Sequence, residues 1–276
     1  PAEPVDTFFR ADYIIAKFTL QGLFKHDCLH LDKAYINGAQ MNLVIEDKVD
    51  EGDGDTQIDN LSRIFRLKKK AEPTYNEKEI FHIKDVQIIN MGFAMKDYGT
   101  NQTPYHGGIN WNDLDVKDID LTAKNLQFKN SIMSGELKSM SFREKSGYLC
   151  NSLTGSAKVG RGKTIIEDFL LIDPWSEVSL PSFMMSYKNV KAFKNFISEV
   201  KLDGELNDTK LDFRTISYFA PQLKGNRLNL SLNGTVSGYV DDFNGSGLRF
   251  ASKDGGVSGT LDGSMTGIPE IEETKI

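Results

Sequence analysis

Hydrophobic and polar residues alternate with period two over much of the chain. From Leu228 to Val240 the even positions Leu228, Leu230, Leu232, Gly234, Val236, Gly238 and Val240 are apolar or glycine, and the odd ones are mostly Asn, Ser or Thr. Successive side chains of an extended chain point to opposite faces, so this stretch predicts a half-buried strand pair with one dry and one wet face. The alternation returns in Val257, Leu261 and Met265 with Gly259, Gly263 and Gly267, in Ile14, Ala16, Phe18 and Leu20, and in Phe183, Met185 and Tyr187.

An apolar-x-apolar-x-x-apolar-x-apolar pattern recurs three times. Its apolar positions are Leu29, Leu31, Ala34 and Ile36, then Phe81, Ile83, Val86 and Ile88, then Leu114, Val116, Ile119 and Leu121. Each copy has a charged pair at its centre, and Asn90 and Asn125 follow the second and third. The two-residue polar step suits a bulge or sheet corner, where the chain turns while keeping its apolar side inward. The copies start 52 and then 33 residues apart. That irregular pitch disfavours a fixed-period solenoid and predicts a long antiparallel sheet that crosses repeatedly.

Helical spacing is confined to three places. Ile58, Leu61, Ile64 and Phe65 predict a short amphipathic helix running into a basic end, Arg63 to Lys70, before Pro73. Val190, Phe193, Ile197 and Val200 predict a second helix, and Phe213, Ile216 and Phe219 a third that stops at Pro221. Asp47 to Asp55 reads as a solvated acidic loop. The expected organisation is one elongated unit over residues 1–276, without an interdomain linker. Within it, 1–48 are strands, 49–78 hold the acidic loop, short helix and basic linker, 79–188 are strands, 189–221 short helices and 222–276 strands.

At 276 residues and 30.9 kDa the chain is long enough to bury a sizeable core. Its 33 basic and 39 acidic residues give a net charge of −6 with interspersed signs, which argues against nucleic acid as a partner. No apolar run approaches the ~20 residues of a membrane-spanning helix, and the chain opens on Pro1, Ala2, Glu3 and Pro4, so a soluble protein or the soluble part of a longer one is expected. Two cysteines, Cys28 and Cys150, cannot form a disulfide framework.

Nominal chemical motifs read as structural. Ala157 to Thr164 satisfies a relaxed phosphate-loop pattern, and Leu170 to Asp173 resembles a second nucleotide-hydrolase motif. A phosphate cradle needs an apolar strand before its glycines and a helix after them, whereas polar residues precede these and strand-like ones follow, as in a hairpin turn. His26, Cys28 and His30 share one face of an extended segment, but sequence supplies no further ligand for a tetrahedral metal shell. Asp50, Asp53 and Asp55 lack the register of a calcium loop. His82 and His106 have no nucleophile elbow nearby, so no catalytic residue, metal or cofactor is expected. Asn229, Asn233 and Asn244 decorate wet strand faces, and the basic segment from Arg63 caps the sheet rather than inserting into lipid.

Several stretches carry a family resemblance: Ile109 to Ile119 with its Trp111, Met133 to Leu137, Ser141 to Gly147, Asp173-Pro174-Trp175-Ser176, and Leu211 to Pro221 followed by Leu223 to Gly225. From about residue 14 to 250 the chain resembles the Bacteroidetes branch of the TamB/AsmA-like superfamily of envelope proteins. The resemblance implies an internal periplasmic segment of a protein anchored in the inner membrane. It further implies a curled sheet and a role in moving phospholipid between membranes or in outer-membrane protein assembly.

The expected fold is therefore all-β: an elongated, mainly antiparallel curled sheet, a β-taco or repeating β-groove, with two or three short helices capping its open side. The expected function is non-enzymatic, with phospholipid acyl chains, or an unpaired strand of an outer-membrane client, held against Phe81, Ile83, Val86, Ile88, Leu114, Val116, Ile119, Leu121, Leu228, Leu230 and Leu232. The rival is a secreted β-solenoid or sandwich that binds or cleaves carbohydrate, with Trp111, Trp175 and Tyr218 as stacking platforms. A closed sandwich would also satisfy the alternation.

Overall fold

A computed structural model of the protein describes residues 7–18, 28–46, 58–59, 79–98, 107–189, 192 and 195–267. The strands are β1 (Phe9–Arg10), β2 (Tyr13–Lys17), β3 (Leu29–Asn37), β4 (Gln40–Glu46), β5 (Ile58–Asp59), β6 (Glu79–Asp97), β7 (Asp113–Lys129) and β8 (Ile132–Glu144). They continue as β9 (Leu149–Cys150), β10 (Ser152–Gly160), β11 (Lys163–Ile172), β12 (Glu177–Ser186), β13 (Lys201–Asp212), β14 (Asn229–Gly238), β15 (Asp242–Ser252) and β16 (Ser258–Thr266). All belong to one open sheet whose main path is β1-β4-β6-β7-β8-β10-β11-β12-β13-β14-β15-β16. The all-β, mainly antiparallel fold is as expected, and the sheet is not closed on itself.

Two pairings depart from the antiparallel rule: β3 and β4 both run parallel to β6. The first two sequence repeats are thereby laid side by side, with Leu29 beside Phe81, Leu31 beside Ile83, Ala34 beside Val86 and Ile36 beside Ile88. The third repeat runs antiparallel against the second half of β6, so Leu114, Val116 and Ile119 meet Met95, Phe93 and Met91. The stretch from Leu228 to Val240 is one strand, β14, held between β13 and β15, rather than a strand pair.

At the charged step of the third repeat, and at the Asn that follows the second and third, an extra residue is inserted where the alternation would otherwise invert, which keeps one face apolar. Asp118 and Asn125 on β7, and Asn90 on β6, hold positive φ of 51°, 52° and 53°. Asp and Asn tolerate this left-handed conformation better than other side chains, and a residue so inserted bulges the strand and bends the sheet. The same device recurs at Asp168 on β11, Asp208 on β13 and Gly247 on β15. Backbone crowds in opposite these insertions: a Cβ on Gly234 would lie 2.5 Å from the Gly247 carbonyl oxygen, so only glycine fits there. The bulges from Asn125 to Gly247 thus align into a crease running across the strands.

Neighbouring polar side chains fasten the bends. Asp120 Oδ1 accepts the Asn90 N–H at 2.9 Å, Asn233 Oδ1 the Asp208 N–H at 2.8 Å, and Asp262 Oδ1 the Gly247 N–H at 2.6 Å. Each satisfies a backbone donor that the bulge removes from the strand ladder. Asn233, expected merely to decorate a wet face, is one of these fasteners.

Among the described residues two short helices flank the sheet. The first, α1 (Phe196–Glu199), is shorter than its apolar spacing predicts; Val190 and Phe193 lie outside the described residues. The second, α2 (Phe213–Phe219), forms as predicted, with Asp212 accepting the Arg214 N–H at its start and a 3-10 turn, Pro221–Leu223, after it. Ile58 does not open a helix: it pairs with Glu46 as part of β5. Leu61, Ile64, Phe65, the basic segment to Lys70 and the acidic loop lie outside the described residues.

Candidate functional site

One apolar face extends across the whole sheet. Along the β6–β7 ladder the directly opposed pairs are Phe81–Phe128, Ile83–Leu126, Val86–Ala123, Ile88–Leu121, Met91–Ile119, Phe93–Val116 and Met95–Leu114. Opposed residues share a face, and each such apolar pair contributes roughly 0.2–1 kcal/mol. From Phe128 the opposed row continues through Met133, Val159, Thr164, Met185, Leu202, Gly238 and Phe243 to Met265. Leu230 and Leu232 join this face opposite Leu211 and Thr209. Ten of the eleven positions read from sequence therefore lie together, whereas half-buried Leu228 precedes β14, its carbonyl accepting the Phe213 N–H and its own N–H donating to Asn226 Oδ1.

Among the described residues this face is covered only at its ends. Near β11–β13, Phe196 of α1 packs with Tyr187, Ala192 and Val200 onto Met185 and Leu202. At the opposite end α2 brings Tyr218 and Phe219 against Tyr148, each with ring centroids 5.3 Å away, and Tyr148 rests on Phe142. Elsewhere the apolar side chains are mostly half-buried, and Leu29, Met133 and Val159 are 48%, 40% and 42% exposed. A second sheet packed on this face would enclose them. Those most enclosed on it, including Val86, Ile119, Ala123 and Leu248, sit beside the bulges.

The α2 corner is sealed and polar within. Asp173 Oδ1 accepts the Trp175 and Ser176 N–H groups, and its Oδ2 accepts the Thr215 hydroxyl at 2.6 Å. Ser176 Oγ accepts the Asp212 N–H and lies 2.7 Å from Thr215 Oγ1. Arg214 hydrogen-bonds both Asp212 oxygens and holds that carboxyl down to about 2. Burial pushes the Cys150 thiol up to about 11 and raises the Tyr148 hydroxyl. A neutral buried thiol and mutually satisfied hydroxyls make a structural anchor rather than an activated nucleophile. Trp175 stacks on Tyr218 and lies under Arg214, while Trp111 faces Phe219 and is 57% exposed.

The other face is charged and hydrophilic. Lys84 pairs with Asp32, Lys210 with Glu177 and Arg143 with Asp118 across neighbouring strands. The larger hollows open here: one of about 800 Å³ follows the crease past His82, Gln127, Glu136, Lys158 and Asp168, and contains none of the eleven positions. A smaller one of about 270 Å³ touches Ile88 and Leu121. Among the described residues the apolar face is thus an open surface, and a further hollow of about 450 Å³ lies beside Ile132 and Ile165 as well as Lys158 and Lys163.

The remaining sequence motifs are placed as follows. The glycines of the nominal phosphate loop form the β10–β11 hairpin turn, with Gly162 at φ 72°. Cys28 and His30 lie near Glu79, which sequence reading had not connected with them. His26, His106, Asp50, Asp53 and Asp55 lie outside the described residues. No described helix is long and apolar enough to cross a membrane. Comparison with family models, curated proteins and solved structures returns no match.

Proposed function

We propose that this chain is a non-enzymatic module of a cell-envelope protein that carries lipid acyl chains along its apolar sheet face, between membranes. The observation supporting this reading is the largely apolar row that runs from Phe81 to Met265, on which the described residues place helices only at two ends. Water against such a surface is unfavourable, and covering each Leu, Ile, Val, Phe or Met contributes ~1.5–3 kcal/mol. An apolar surface without convergent polar groups lets acyl chains slide rather than fixing one ligand, as transport requires. The hydrophilic face, with its paired charges, is the side that meets water. The resemblance to the TamB/AsmA-like superfamily supports the same reading and a periplasmic location, with the parent protein anchored in the inner membrane. Outer-membrane proteins under assembly would use the same surface.

A photo-crosslinking residue at Val116 or Leu230 tests it in cells, with Thr122 as the control on the hydrophilic face. Phospholipid adducts at Val116 and Leu230 but not at Thr122 are expected, together with copurifying phospholipid in native mass spectra. Adducts to neighbouring residues of the same chain only, or equal lipid capture at Thr122, would overturn the reading.

A further inference from the structure

Cys28 is not in a disulfide, and the pairing of β3 with β6 brings its segment beside Glu79. One ligand atom each from Cys28, His30 and Glu79 lies within 4.8 Å of the others. Metal bonds of ~2.0–2.3 Å in a tetrahedron set ligand atoms roughly 3.3–3.8 Å apart, so the three need close by only about an ångström. His30 Nε2 and Glu79 Oε2 already stand 3.4 Å apart. His30 Nε2 is enclosed, yet makes no hydrogen bond.

We propose that Cys28, His30 and Glu79 form a binding site for a divalent metal of the zinc class on the hydrophilic face, a property separate from lipid carriage. The donor set of one thiolate, one imidazole and one carboxylate favours zinc or cobalt(II) over the oxygen-seeking calcium and magnesium. Surrounding residues orient it. Gln127 donates to Glu79 Oε1 and turns Oε2 toward His30, while His82 meets the His30 ring edge-on at 5.7 Å. Such partners fix a ligand's direction and sharpen metal affinity. His82 and Gln127 also line the hollow of about 800 Å³, which places the three ligands beside a space that water can enter.

Titration of the purified, chelator-treated protein with cobalt(II) tests the site. Expected are saturation at about one equivalent per chain, tetrahedral visible absorption and a thiolate-to-cobalt band that zinc abolishes. Cys28→Ser should remove the thiolate band, and His30→Ala and Glu79→Gln should each weaken affinity at least ~10-fold. Circular dichroism checks that each variant is folded, and Glu79→Gln, which keeps the Gln127 contact, carries the test if Cys28→Ser is not. No saturable binding, a thiolate band that survives Cys28→Ser, or affinity unchanged in both His30→Ala and Glu79→Gln would overturn the proposal, as would equal competition by calcium.

Discussion

The α2 corner and the β6–β7 ladder use similar apolar side chains to opposite ends. At the corner Tyr148 is 3% exposed and Cys150 fully buried, beneath a hydrogen-bonded set made by Asp173, Ser176, Asp212 and Thr215. Along the ladder seven apolar pairs share a face that nothing described covers, and most of those side chains stay half-exposed. The difference teaches where this fold stores stability and where it leaves surface available. A change at the corner should act on folding, and one on the ladder chiefly on what the protein holds.

The largest effect is expected from Asp212→Ala. It removes the N-cap of α2, unpairs Arg214 and drops a contact from Asn229, and should destabilise by about 2–4 kcal/mol in denaturant titration. The same carboxyl makes stability pH-dependent. Its folded value of about 2 lies below the ~3.9 of an unfolded Asp, so its contribution is complete above ~4 and is lost as pH falls toward 2. Wild-type stability should therefore fall more steeply over that range than the variant's. Equal slopes would show that Asp212 is not the anchor.

A middle-sized effect belongs to the crease. Asp208→Val should cost about 1–3 kcal/mol, because a β-branched residue is strained at φ 47°, whereas Asp208→Gly should be milder. Similar losses in both would argue that the position is not held in the left-handed region. The smallest effect on stability is expected on the open ladder. Val116→Ser should cost about 1 kcal/mol or less, far below a fully enclosed core site, and yet reduce lipid copurification. Loss of folding in Val116→Ser would sink the contrast between the two regions.

Much of this architecture was legible in local pattern. The alternation around Leu230 and Leu261 marks β14 and β16, and Asn90 and Asn125, picked out by the repeat, are two of the residues with positive φ. Pro221 ends α2 as its missing N–H and fixed φ require. Non-local choices were not legible. Parallel pairing of the first two repeats depends on how the chain returns between them, and the repeat itself is silent on direction. Ile58 sits at helical spacing, but pairing with Glu46 overrides it. Asp168 and Asp208 would pass for turn residues in sequence, and become recognisable as bulges only beside their partners Gly155 and Asn233. Glu79 joins Cys28 and His30 through that same parallel pairing. The polar side of the crease carries the hollow of about 800 Å³ because bulges dent a sheet whichever way its hydrophobicity faces.

The fasteners at Asn90, Asp208 and Gly247 have a consequence for growth of the architecture. Each bend is completed within a strand and its immediate neighbour, so an inserted hairpin could carry its own bend and leave the others undisturbed. Every such hairpin would lengthen the greasy track by about 10 Å without demanding a larger interior. Reach, in this design, scales with the count of hairpins rather than with the size of a core.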